Sequence, residues 1–145
     1  MSSRTSSIEF TFTHEVTVRA VVDGLASGGW SLKEPLGLSY VVNDDDLYDW
    51  QSTSLDCADE VLMLLDAPEN RGFHVGVCIY HRKAETGGQL LFFPGRTLCS
   101  FYPTINRRSL PEAPAFTDLS WYLQALVTPF LPIGLHSYET CDIGF

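Results

Sequence analysis

Apolar and polar residues alternate over Ile8-Glu9-Phe10-Thr11-Phe12-Thr13, the period-two pattern of a strand that buries one face. The small polar residues 1–7 ahead of it read as a flexible tail. Thr13 is placed to cap a helix from His14 to Ser27, with Val16, Ala20, Val21 and Leu25 on one face. Gly28-Gly29 would end that helix, leaving Trp30 to cover the end of the core. Gly37 to Val42 forms a second apolar strand. A polar loop follows, and Ser54 or Asp56 can cap a helix through Asp66 that buries Ala58, Val61, Leu62 and Leu65.

The second half reads as a meander. Phe73 to Tyr80 alternates cleanly, residues 81–88 make a polar hairpin connection, and Gln89 to Phe93 pairs back as a buried strand. Pro94-Gly95 is a turn signal, and Leu98 to Tyr102 gives the next strand. Residues 103–114 look irregular. Thr117 is positioned to cap a helix from Asp118 to Pro129. Its stripe is Leu119, Tyr122, Leu123, Leu126 and Val127, with Trp121 and Ala125 pointing away. Leu135 to Thr140 supplies a last strand. The order β-α-β-α-β-β-β-α-β predicts an α+β fold: a mostly antiparallel sheet of about six strands with three helices. Residues 8–145 form a single globular domain, with no repeat and no interdomain linker.

Composition changes the picture mainly through charge. The chain has 18 acids against 9 bases and a pI near 4.6. That balance argues against sequence-independent nucleic-acid binding and against anionic membranes, both of which need Lys and Arg. No leader peptide and no apolar run approaching about 20 residues is visible. Four cysteines, Cys57, Cys78, Cys99 and Cys141, are far apart in sequence, and three have apolar neighbours. They read as free thiols, which implies a cytoplasmic protein.

The surplus of acid is local. Residues 35–70 hold Asp44, Asp45, Asp46, Asp49, Asp56, Asp59, Glu60, Asp66 and Glu69, with no Lys or Arg among them. Elsewhere acids and bases balance. Tyr48 and Trp50 lie inside this stretch, and Trp50, between Asp49 and Gln51, is expected at a surface. Such a segment suits a face that docks a basic partner, although Asp56, Asp59 and Glu60 also suit the first turns of a helix.

No chemistry is named by motif. From Asp44 the sixth and twelfth residues are Asp49 and Leu55, which excludes an EF-hand loop. His14, His74, His81 and His136 are isolated, without the spacing of a zinc site. Cys78 and Cys99 sit in apolar strands, a poor setting for a nucleophile. Phosphate-loop, dinucleotide and serine-hydrolase signatures are absent. No catalytic residue, metal or cofactor is expected. Arg107-Arg108, the one adjacent arginine pair, could bind an anion or an acidic partner, but pairing with the chain's own acidic surface is the expected role.

A single acidic α+β domain carrying Gly28-Gly29-Trp30, Tyr48-Asp49-Trp50 and Thr117-Asp118-Leu119-Ser120-Trp121-Tyr122-Leu123 resembles the immunity proteins of bacterial toxin systems. The resemblance implies an inhibitor that neutralises a cognate toxin, such as a nuclease, by covering its basic surface. Asp44, Asp45, Asp46, Asp49, Trp50, Asp56, Asp59 and Glu60 are then the expected contacts, Trp50 at their centre. The alternative is a small-molecule binder or small enzyme with a pocket between sheet and helices, using His74, Tyr80 or the carboxylates.

Overall fold

A computed structural model describes residues 4–32 and 37–144. Its centre is an antiparallel meander in which β5 (Val75–His81), β6 (Thr86–Phe92) and β7 (Leu98–Ile105) pair in succession. β1 (Arg4–Phe12) joins β7, and β10 (Leu135–Gly144) joins β1 as one edge of the sheet. On the other side β3 (Leu38–Val42) pairs with β5, and β4 (Gln51–Thr53) forms the far edge. The short β2 (Trp30–Ser31) also pairs with β5. The result is an eight-stranded sheet of order β10-β1-β7-β6-β5-β3-β4 with β2 off that path. A separate ribbon joins β8 (Ser109–Leu110) to β9 (Ala113–Thr117). The helices are α1 (Val18–Ala26), α2 (Ala58–Leu65) and α3 (Leu119–Phe130).

All three helices pack on the same face. Strand alternation sends Ile8, Phe10, Val77, Leu90, Phe92 and Phe101 toward them, where they meet Val21, Leu25, Val61, Leu65, Tyr122 and Leu126. Phe130 closes one end of this core edge-on against Phe10, with ring centroids 4.9 Å apart. At the other end Trp30 is 2% exposed and its indole N–H donates to Ala125 O at 3.0 Å. Removing the side chain of a fully buried residue such as Leu126 typically costs about 2–5 kcal/mol.

The α+β class and the three helices agree with the sequence pattern, but the sheet holds eight strands rather than about six, and the element order differs. Two of the added strands, β2 and β4, are only two and three residues long, too short to carry a period. The ribbon β8–β9 begins in the stretch expected to be irregular and runs on to Thr117, the residue expected to cap the last helix. Arg4–Ser7, expected in a flexible tail, are the first residues of β1, drawn in by pairing with β10; residues 1–3 lie outside the described residues.

Boundaries moved wherever the backbone had a better partner. The first helix starts at Val18 rather than His14, because Thr13 N–H and Val16 N–H donate to Gly134 O and Arg96 O. Thr17, not Thr13, caps it by accepting Ala20 N–H. Asp118, not Thr117, caps α3 by accepting Trp121 N–H at 3.2 Å. Trp121 and Ala125 pack against the core instead of pointing away from it. Gly87 and Gly88 belong to β6 rather than to a loop: a Cβ on Gly88 would lie 1.9 Å from Tyr102 O, so only glycine fits.

One acid of the 35–70 stretch holds helices together. The Asp66 carboxylate accepts Val18 N–H at 2.7 Å and Arg19 N–H at 3.0 Å, satisfying two of the unpaired donors that begin α1. Negative charge there also complements the helix dipole. Asp66→Ala should therefore lower stability by about 1–2 kcal/mol in urea denaturation; an unchanged midpoint would show that the cap contributes nothing.

Candidate partner-binding loop

Chain residues 43–50 connect β3 to β4 around the end of the sheet. Asn43 is its foundation. It is 4% exposed, its N–H donates to His74 O at 2.9 Å, and its side-chain oxygen accepts Tyr48 N–H at 2.9 Å. Asp44 N–H donates back to Val42 O, and Leu47 N–H donates to the Asp45 carboxylate at 3.0 Å. Asp46 and Tyr48 both have left-handed backbone, at φ 60° and 50°. Two such non-glycine residues so close together persist only where surrounding bonds fix the path.

Trp50 fastens the other end. Its ring lies over Gly76 in the middle of β5, on the sheet face that carries no helix: a Cβ at Gly76 would stand 3.0 Å from Trp50 Cη2 and 3.2 Å from Leu91 Cδ1. Beside this contact Val41 is fully buried, although it is not part of the helix-side core. Trp50 is therefore half-buried against its own sheet, where sequence reasoning expected a surface anchor. Tyr48 leans on His74, with centroids 6.1 Å apart, and His74 rests on Phe93 at 4.6 Å.

The support beneath is polar and buried. Arg96, 4% exposed, donates to Phe73 O, Phe93 O and Asn70 O, locking residues 70–73 onto the turn after β6. Burial depresses the Arg96 pKa from its ordinary value, while the charge of Asp66 opposes that effect.

On this frame the loop presents Leu47, 68% exposed, and Tyr48, 43% exposed, amid Asp44, Asp45, Asp46 and Asp49, all exposed. Among the described residues none of these four carboxylates is in an ion pair. Leu47 and Tyr48 are the apolar tip, and sequence reasoning had not singled out Leu47. A lone leucine in a polar run is an available signal only once the loop is known to be ordered.

The remaining expected contacts sit elsewhere. Asp56 lies in a 3-10 turn, Leu55–Cys57, and Asp59 and Glu60 in the first turn of α2, on the helix side of the sheet. Asp59 pairs with Arg19 at 3.2 Å. The acids thus form two groups at one edge of the sheet, not one continuous face. Among the described residues no cluster of three or more His, Cys, Asp or Glu side chains is arranged to hold a metal ion.

Other expectations are corrected. Arg107 and Arg108 do not pair with the acidic surface: Arg107 Nη1 donates to Thr117 Oγ1 at 2.9 Å, and the Arg108 guanidinium lies 4.8 Å from the Trp121 ring centre. The space between sheet and helices is filled by side chains, and neither His74 nor Tyr80 faces into it. A cleft of about 510 Å³ lies at the surface beside His81, Trp121 and Gln124. There Ala84 N–H donates to His81 Nδ1, which leaves Nε2 to donate to Gly28 O, so both nitrogens are engaged. Cys99 is fully buried, which pushes its thiol pKa well up and keeps it a thiol. Among the described residues no helix is long and apolar enough to cross a membrane.

No protein-family model, curated protein or solved structure matches the chain.

Asn43 is the residue whose loss should release the loop. Asn43→Ala strands a backbone donor at Tyr48 and should cost about 1–3 kcal/mol in urea denaturation; a cost below a few tenths would mean that the loop holds its shape without it.

Proposed function

We propose that the protein works by binding another protein through the loop 43–50, as an inhibitor of a partner with a basic surface. The observation that carries this reading is an exposed Leu47-Tyr48 tip ringed by carboxylates without ion-pair partners, on a backbone already fixed by Asn43 and Trp50. A loop ordered before binding loses little entropy when it docks, and a charged rim around an apolar anchor speeds encounter and excludes wrong partners. Leu47 and Tyr48 take the anchoring role, with Asp44, Asp45, Asp46 and Asp49 as the rim. Asp56 and Glu60 extend the field at the same edge of the sheet. Trp50 holds the loop from behind.

In its most specific form this is an immunity protein that covers the basic face of a cognate bacterial toxin. The net charge of -9 and its concentration in one segment favour such a partner. Lys and Arg that otherwise contact substrate phosphate would be met by the aspartates of the loop, so inhibition is steric and electrostatic.

The experiment uses a partner recovered in stoichiometric complex with the tagged protein. That partner, expressed alone, should arrest growth, and co-expression of this chain should restore it. Asp44/Asp45/Asp46→Asn should slow association and flatten its salt dependence, while Tyr48→Ala should mainly speed dissociation. Association unaffected by the triple substitution would remove the loop from the interface.

A further inference from the structure

At the opposite end of the sheet two strands part. The ladder between β1 and β7 runs from Thr11↔Leu98 only as far as Ile8↔Phe101, although β1 continues to Arg4 and β7 to Ile105. The outer edges stay paired, β1 with β10 to Arg4↔Gly144 and β7 with β6 to Ile105↔Gly87. The split is therefore internal to the sheet. Pro103, which has no N–H to give, stands in the segment of β7 where pairing is lost.

A cavity of about 190 Å³ occupies the split, lined by Arg4, Thr5, Ser6, Tyr102, Thr104 and Arg107. Its charges do not cancel. Arg4 is ion-paired with Asp142 at 3.1 Å and lies over the Phe116 ring. Asp142 also accepts Ser6 Oγ–H at 2.7 Å and Thr117 N–H at 2.9 Å, which fixes it as the counter-ion of the site. Burial raises the Asp142 pKa, but bonds from Ser6, Thr117 and Arg4 and the charge of Arg4 outweigh it, so the carboxyl titrates below its usual range. Arg107 donates to Thr117 Oγ1, a neutral hydroxyl whose own hydrogen goes to Ser6 Oγ, and among the described residues it meets no carboxylate. In a chain with twice as many acids as bases, Arg107 is thus a half-buried arginine beside hydroxyls with no carboxylate partner among the described residues.

We infer that the split between β1 and β7 binds a compact tetrahedral oxyanion, phosphate or sulfate, with Arg107 as its principal cation and the hydroxyls of Thr5 and Thr104 at hand as donors. Arg supplies a planar fork of N–H groups matched to such an ion. The site is independent of the loop 43–50.

The test is a titration of isotopically labelled full chain with sodium phosphate and sodium sulfate against sodium chloride at matched ionic strength, followed by amide NMR shifts. Saturable shifts confined to residues 4–6 and 102–107 are expected with phosphate or sulfate, and none with chloride. Arg107→Gln should weaken binding about tenfold or more, while Arg108→Gln, outside the cavity, leaves it unchanged. If Arg107→Gln melts early, Arg107→Lys, which keeps the charge and loses the fork, should bind more weakly than wild type. Shifts identical in chloride, or wild-type affinity in both Arg107 variants, would overturn the inference.

Discussion

The structure depends on coverage of a single sheet face. Three helices press on one side of an eight-stranded sheet, and the strand residues aimed at them are nearly all apolar. The opposite face must then satisfy itself with small or polar residues, Glu9, Ser100 and Gly76 among them, or be sealed by something other than a helix. At Gly76 the seal is Trp50. The absence of a side chain in β5 and the presence of the largest one in the loop are two halves of one contact. Because Trp50 must reach that spot, the residues before it have to wrap around the end of β3, and their aspartates are carried to the surface with them.

Charge follows from this arrangement. The carboxylates of residues 35–70 do different work according to which side of the sheet edge they reach. Asp66 caps α1 and Asp59 pairs with Arg19, both serving the helix layer. Asp44, Asp45, Asp46 and Asp49 have no such employment. Their repulsion costs stability unless a cation meets it, and the left-handed turns at Asp46 and Tyr48 add backbone strain. Loops that retain unfavourable features of this kind are the places where recognition is built.

The strands of the meander and the buried faces of α2 and α3 were legible because each runs long enough for its period to repeat: Val75, Val77 and Ile79, or Leu119, Tyr122 and Leu126, admit one reading. The edges were not. β4 is Gln-Ser-Thr and becomes a strand only because β3 offers its backbone, and the start of α1 was displaced by hydrogen bonds to Gly134 and Arg96, residues distant in sequence. Of the loop, its acidity could be read directly. The inward turn of Trp50 could not, since it depends on a glycine 26 residues further on, and with it went the recognition of Leu47 and Tyr48 as the exposed tip.

Preformation of the loop is what links the fold to the proposed role, and backbone amide hydrogen exchange in the isolated protein measures it directly. Tyr48 N–H, bonded to the buried Asn43 side chain, should exchange well below the rate of an unstructured peptide although its own side chain faces solvent. Exchange of Tyr48 at the unprotected rate would mean that the loop has no fixed shape before binding, and the exposed Leu47-Tyr48 tip would lose its claim to be a built anchor.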